Sequence, residues 1–478
     1  MRRKPLGLLV SMVIGFVLIS VSHADAIPVF ARKYKTTCMT CHTSPTMLNE
    51  FGLRFQSNGY QLPGTIDATP VWELDQVPIA FMLHAMWNWM ETQTESTSDD
   101  TARQSTYGFP EPHGNLFSGG VLGAHFSYFT RLNVEPDGLS IDTLYFIWNN
   151  ILPHSILNFR IGRFYPDVPF PQRLSLTEDI VPLVYTYSGI LAPVSEAPAD
   201  HAVDDHAEMA TPRAPGVFSH GMRTLQAGDE HADTSATTST IPSGTMLGRS
   251  QLGVSIFGFV PTILDGLRYE IALTNWRKEK RPDVFIRVNQ TVYVNSAPFR
   301  LGILYFNGRN QFELEEMSFY EDFHRFGVDA ELYDPWTKKV NVQFLWMTGK
   351  DDDAEPLESG LQERTMNGGL IGTNLFLIPE KLVVHGRFEW LNADPESWRQ
   401  WVGVLRYHFT PNVFMDFMFH RAYYQRKHHA AIPEAPEDHM THPMGVPAPG
   451  AADEMWQGES SLQTRRTSMF MVMFMFIF

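Results

Sequence analysis

The sequence predicts an all-β protein, a transmembrane antiparallel β-barrel of about sixteen strands that follows a small amino-terminal segment. Three observations lead there. Aromatic residues make up 13 % of the 478, with 34 Phe, 16 Tyr and 11 Trp, yet only 19 % are charged and the mean hydropathy is −0.18. No long stretch repeats with the 3.6-residue period of a helix. Stretches about ten residues long instead alternate between apolar and mixed positions, separated by turn residues, which is how membrane-spanning strands read.

The chain opens with Arg2-Arg3-Lys4, runs almost uncharged from Leu6 to Val21 and reaches Ala24-Asp25-Ala26. A basic start, a short apolar run and an A-x-A site mark a secretory signal peptide, so residues 1–26 are expected to be removed. The apolar run is short for a spanning helix.

The first predicted strand contains "PIAFMLHAMWNWM", in which Ile79, Phe81, Leu83, Ala85, Trp87 and Trp89 form a lipid-facing row. Met82, His84, Met86, Asn88 and Met90 fall on the lumen row. In the last, "MFMVMFMFIF", Phe470, Val472, Phe474, Phe476 and Phe478 form the apolar face, and Met469, Met471, Met473 and Met475 point inward by parity. A terminal Phe on such a strand resembles the assembly signature of bacterial outer-membrane barrels.

Candidate strands fall near 78–91, 119–135, 139–151, 155–164, 179–190, 249–259, 265–277 and 283–294. Eight more fall near 298–307, 323–333, 338–349, 365–377, 381–392, 399–410, 412–424 and 467–478. The total of sixteen is even, as in bacterial single-chain barrels. Long connections (92–118, 191–248, 308–322, 350–364, 425–466) follow odd-numbered strands. Tight ones follow even strands, such as "EPDG" at 135–138, "DPWTKK" at 334–339 and "IPEK" at 378–381, with 165–178 the exception. Long outer loops alternating with short periplasmic turns place both termini in the periplasm of an outer-membrane protein. A large soluble β-sandwich or propeller is the rival, and seldom combines this aromatic density with this loop parity.

The only two cysteines lie in Cys38-Met39-Thr40-Cys41, followed by His42. A redox dithiol would need a βαβ context, which is missing, and a zinc site would need a second ligand pair. A simple disulfide or two free thiols is the plain alternative. Covalent c-type haem fits best: Cys38 and Cys41 would bond the porphyrin edge and His42 would ligate the iron. A segment of about forty residues cannot bury a porphyrin alone, and a barrel lumen would supply the walls.

Phe30-Ala31-Arg32 before this motif, with Phe51-Gly52 and Asn58-Gly59-Tyr60 after it, resembles the fused outer-membrane monohaem cytochrome c–porin family, which includes outer-membrane iron(II) oxidases. The resemblance covers residues 27–64, and the barrel matches in general architecture. It implies a signal peptide at 1–26, a cytochrome c haem-binding segment at 27–70 plugging the periplasmic mouth, and a porin-like barrel at 71–478. It also implies one covalent haem c on Cys38 and Cys41, His42 as proximal ligand, and electrons passing from extracellular iron(II) to a periplasmic carrier such as a cytochrome.

The formal charge is −16, and removing residues 1–26, which hold three basic residues and one acidic, takes it to −18. That argues against nucleic acid and for cationic partners or metal ions. Acid gathers in predicted outer loops at 200–208, 228–233, 350–358 and 436–443, and eight of the 18 histidines lie in 191–248 and 425–466. Carboxylate with imidazole suits iron and similar ions, although a solvated loop reads the same way. For the distal haem ligand, Met82 and His84 are the candidates on the first strand's lumen row, ahead of Met86. Met47 follows His42 too closely, and the last-strand methionines are expected to pack against the plug. An outward-reducing conduit and a diffusion porin with a structural haem remain the other functional readings.

Overall fold

The computed structural model describes residues 29–74, 77–95, 101–187 and 247–477, leaving out 111, 137, 172–173, 178–179, 261–265, 277–280, 315–316, 353–363, 394–395 and 429–460. The expected signal peptide, Phe478 and the acidic stretches at 200–208, 228–233 and 436–443 lie outside the described residues.

The amino-terminal segment holds helix α1 (Val29–Tyr34), strands β1 (His42–Ser44) and β2 (Met47–Leu48), and helix α2 (Glu50–Ser57). The barrel begins with β3 (Ile79–Glu95), β4 (Thr101–Gly108), β5 (His113–Gly123), β6 (Phe126–Glu135), β7 (Gly138–Leu152) and β8 (Leu157–Phe164). After helix α3 (Leu183–Thr186) come β9 (Gln251–Val260), β10 (Leu267–Thr274), β11 (Asp283–Val294), β12 (Ala297–Leu314) and β13 (Met317–Tyr333). The last six are β14 (Val340–Asp351), β15 (Arg364–Ile378), β16 (Leu382–Ala393), β17 (Glu396–Thr410), β18 (Val413–His428) and β19 (Ser461–Ile477). All pair antiparallel and close into a barrel through β19 and β3, from Thr464↔Glu95 to Ile477↔Met82.

Strands β4 and β5 run one after the other along β3, at Asn88–Glu95 and at Ile79–His84, so they are one interrupted strand and the barrel has sixteen. The break holds Pro110 and Pro112, which lack the N–H a ladder needs.

The expected total therefore holds, but two assignments behind it do not. The candidate at 119–135 merges two strands across a two-residue turn at Ala124-His125, which Gly123 and Phe126 close. The described residues of the candidate at 179–190, which are 180–187, form no strand: Pro182 precedes the single helical turn α3, whose four residues are all buried. A short apolar run buried on every side has no period from which to tell strand from helix. With the strands renumbered, "EPDG" lies on the same rim as the long loops, whereas "DPWTKK" and "IPEK" lie on the opposite, turn-side rim. The anomalous 165–178 becomes the start of the long connection after β8, and 308–322 is mostly paired β12 and β13.

Side chains alternate as a membrane barrel requires. Phe146, Trp148, Ile161, Ile256, Ile303 and Trp401 are exposed on the outside, while Met469, Met471, Met473 and Met475 are buried inside. A closed even-stranded barrel satisfies every backbone group without an edge, and its apolar outer face is lipid-facing, the architecture of the bacterial outer membrane.

Among the described residues, the lumen is occupied by those of 165–187, which bury Val168, Leu176, Ile180, Val181, Leu183, Val184 and Tyr185. Charged wall residues grip this segment: Arg387 donates to Ile180 O (3.0 Å) and Thr177, Leu183 N donates to Glu389 (2.6 Å), and Arg287 donates to Asp167 O (2.6 Å). Ile180 packs with Val402, Val404, Met418, Met469 and Met471, so these two last-strand methionines fill gaps against the inserted segment rather than the amino-terminal plug, whereas Met473 and Met475 cluster with Met82 and Phe414.

Candidate functional site at the turn-side mouth

A short 3₁₀ turn spans Cys38–Thr40, closed by Cys41 N donating to Cys38 O at 3.2 Å. Side chains three apart eclipse in such a turn, so both thiols project from one side. The two are free and half-buried. Burial raises both thiol pKa values, Cys41 to about 11 with Cys38 adding to it, which is the opposite of an activated redox dithiol.

His42 follows in β1, paired with Leu48 of β2. Burial lowers its pKa to about 4, against a smaller opposing effect of the Ser44 backbone, so the ring is neutral at pH 7. Its Nδ1 is buried without a hydrogen-bond partner. Two thiols on one side of a turn, with a neutral imidazole carrying an orphaned nitrogen beside them, fit the attachment of a covalent haem.

Asn49 holds the turn. Its backbone N–H donates to Cys41 O (3.0 Å) and its side-chain amide to Met39 O (3.3 Å) and Thr40 O (3.1 Å), while its Oδ1 caps α2 by accepting from Gly52 N (2.9 Å). Gly52 lets α2 pack directly on the turn, since a Cβ there would lie 2.2 Å from Cys41 O. Sequence reasoning missed Asn49 as a functional residue, although Asn before "EFGLRF" is a readable helix cap.

The segment is anchored around the inner wall. Cys38 Sγ lies 3.7 Å from Asn412 Oδ1 in the β17–β18 turn, and Arg406 of β17 donates to Thr46 Oγ1 at 2.8 Å. Glu50 of α2 pairs with Arg300 of β12 (2.9 Å), and Met47 packs with Leu176, Phe376 and Val383.

Across the mouth, Gly59 adopts φ +63° against Asn149, Asn58 accepts from Asn150 (3.2 Å) and Ser155, and Asn158 donates to Ser57 O (3.0 Å). The Tyr60 ring stacks on Phe30 (5.0 Å) and Phe129 (5.4 Å), and its hydroxyl meets that of Tyr145. Arg32 donates to Val77 O (3.1 Å) and Ile79 O (2.6 Å) where the barrel begins. Phe30-Ala31-Arg32 and Asn58-Gly59-Tyr60 are thus docking elements, and Phe51-Gly52 is part of the thiol turn.

Met82 and His84 face inward and are buried. Met82 registers with Ile477, whose N–H donates to the carbonyl of Asn412, the residue beside Cys38. His84 meets Asn115 Nδ2 through Nε2 (3.4 Å) and stacks on His113 (4.7 Å). Met86 packs at the edge of the same methionine cluster.

No protein-family model and no curated protein matches this sequence. Among solved structures, the anion-selective porin from Comamonas acidovorans is similar at 10 % identity over 84 % of this chain and 100 % of its own, with a TM-score of 0.43. A loop-deletion mutant of the outer-membrane protein OmpT of Vibrio cholerae gives 8 % identity, 84 % and 100 % coverage, and a TM-score of 0.42. The outer-membrane channel DcaP of Acinetobacter baumannii gives 10 %, 84 %, 97 % and 0.39 respectively. Likeness at this level does not extend to function.

Proposed function

We propose that the chain is a monohaem electron-transfer protein of the outer membrane, taking single electrons from an extracellular donor such as iron(II) and passing them to a periplasmic carrier. The observation that carries this reading is the buried, partnerless Nδ1 of His42 beside two free thiols on one turn. Cys38 and Cys41 would hold the haem by thioethers and His42 would ligate its iron; once bound, it supplies a reversible one-electron couple. Asn49 and Gly52 keep the thiols and the imidazole in one rigid unit, and the Arg406–Thr46 and Glu50–Arg300 contacts fix that unit to the wall. The long loops would face outward and the turn-side mouth the periplasm.

The filled lumen favours a conduit for electrons over a pore for solutes. Haem staining on a denaturing gel tests the cofactor: the full-length chain should stain, and the Cys38→Ala/Cys41→Ala double variant should not. Stain retained by the double variant would sink the reading. Stopped-flow addition of iron(II) to the oxidised protein tests the donor, with single-step reduction expected. If only a periplasmic-type reductant works from about pH 2 to 7, electrons flow outward instead.

A further inference from the structure

His385 of β16 is buried in the lumen at 3 % exposure, and its two ring nitrogens are in opposite situations. Nδ1 lies 2.7 Å from Asn374 Oδ1, whereas Nε2 is buried without a partner. A hydrogen-bond chain settles which nitrogen carries the proton. Glu331, ion-paired with Arg300 at 2.6 Å, accepts from Asn341 Nδ2 at 3.1 Å. Asn341 must therefore present Oδ1 to Asn374, which donates from Nδ2 at 2.7 Å and so turns its own Oδ1 toward His385. An amide oxygen only accepts, so Nδ1 carries the hydrogen and Nε2 holds a bare lone pair. A buried ring nitrogen without a protein partner needs a reason, and a metal-ligating histidine is held in this way, its other N–H given to an oxygen that fixes the tautomer.

His385 also stands at the level of the thiol turn. Val383, two residues along the same inward row and so about 7 Å away, shares an apolar cluster with Met47, Leu176 and Phe376. Met47 lies in the β1–β2 hairpin with His42. Val383 is also the register partner of Arg406, which bonds Thr46. The far end of the amide chain returns to the same segment, because Arg300 also pairs with Glu50 of α2, the helix that backs the thiols. His420 likewise has a partnerless Nδ1, but it lies six residues up β18 from Phe414, about 20 Å from the turn-side end.

We infer that His385, through Nε2, is the sixth ligand of the haem iron, with Asn374, Asn341 and Glu331 as its positioning residues. The inference rests on the haem reading of Cys38, Cys41 and His42, and it replaces Met82 and His84 in the distal role. Two imidazoles, one from the amino-terminal segment and one from the wall, would make the iron low-spin and clamp the segment to the barrel once haem is bound.

The test uses the full-length, haem-matured chain in detergent, with its ferric electron paramagnetic resonance and optical spectra as the readout. The wild type should be low-spin. His385→Ala should keep its stain on a denaturing gel but turn high-spin, and added imidazole should restore the low-spin signal. His385→Met should stay six-coordinate, raise the midpoint potential and gain a sulfur-to-iron charge-transfer band, which covers the case in which the alanine variant does not assemble. Asn374→Leu should shift the potential without loss of the ligand, an effect that simple packing would not give. A high-spin wild type overturns the inference, as do low-spin spectra unchanged in both His385 variants; a spin change in His84→Ala alone would return the role to His84. A wild type that carries no haem defeats the reading of residues 38–42 itself, and the gel shows that outcome separately.

Discussion

Arg406 spends its guanidinium on both halves of the molecule: it pairs with Asp416 on the neighbouring strand (2.7 and 2.6 Å) and donates to Thr46 of the amino-terminal segment (2.8 Å). Both charged side chains are completely buried, and the guanidinium also lies 4.2 Å over the Phe414 ring. A buried pair of this kind is costly to break from one side, because the surviving charge keeps its desolvation cost and loses its partner. Arg406→Leu should therefore destabilise the protein by about 3–5 kcal/mol, and Arg406→Met/Asp416→Leu by much less. Heat-modified gel mobility measures both. Equal losses in the single and double variants would show that the pair is not the source.

Gly59 carries a second joint between segment and wall. Its φ of +63° costs any residue with a Cβ about 1–2 kcal/mol. A methyl there would also fall 1.8 Å from Asn149 Oδ1, on the strand it docks against. Gly59→Ala should leave the barrel's heat-modifiable mobility intact while making residues 29–74 sensitive to protease. Asn149→Gly in the same chain should recover part of the protection by removing the clash but not the backbone strain. Loss of the barrel's heat-modifiable mobility in Gly59→Ala would mean that the segment and barrel fold as one unit.

These two joints show what could be read from the sequence. Period-two alternation placed the methionines of β19 and Met82 and His84 of β3 on the inner wall, since a single lipid face forces the register. The strand total came out right although one strand was overlooked and another invented. Thr101–Gly108 is exposed from Thr101 to Tyr107 and has no apolar alternation to signal a strand. "IVPLVYT" is apolar because it fills the lumen, not because it crosses lipid. The cysteine motif was visible from spacing alone. Arg406 and His385 were not, since an Arg or His on an inward row gains its role from other strands and segments, Thr46 for Arg406 and Asn374 for His385; Asn49 was readable as a helix cap, but not as the residue that also holds the thiol turn.

The amino-terminal segment should loosen in acid through Asp67. Burial alone would raise its pKa, but hydrogen bonds from Lys33 (salt bridge 2.7 Å), Thr69 N–H and Tyr34 Oη together hold it below the usual carboxylate range. A depressed carboxylate contributes stability that is complete above its unfolded pKa of about 3.9 and is lost as the pH falls through the folded value. Hydrogen exchange at residues 60–69 should accelerate below about pH 4, and Asp67→Asn should already exchange fast at pH 7. Protection that is flat from pH 7 to 2 would exclude this linkage.

The inserted segment 165–187 should decide whether solutes cross the barrel. Arg387 and Glu389 form a buried pair at 2.6 Å, and between them they hold Thr177, Ile180 and Leu183 in the lumen. Behind those contacts, Ile180 closes against the methionines and valines of β17–β19, and Val184 and Tyr185 join the apolar core reaching Phe306, Leu345 and Trp398. Such packing narrows the lumen against water and ions, so the intact protein should give only background conductance in a planar bilayer. Arg387→Gln/Glu389→Gln removes both charges while keeping side chains of similar size. It should free the segment often enough to give discrete channel openings, and those openings should disappear when a disulfide is engineered between the segment and the wall. If the unaltered protein already conducts like an open porin, the lumen is not closed by residues 165–187, and a diffusion porin carrying a structural haem becomes the better account of the chain.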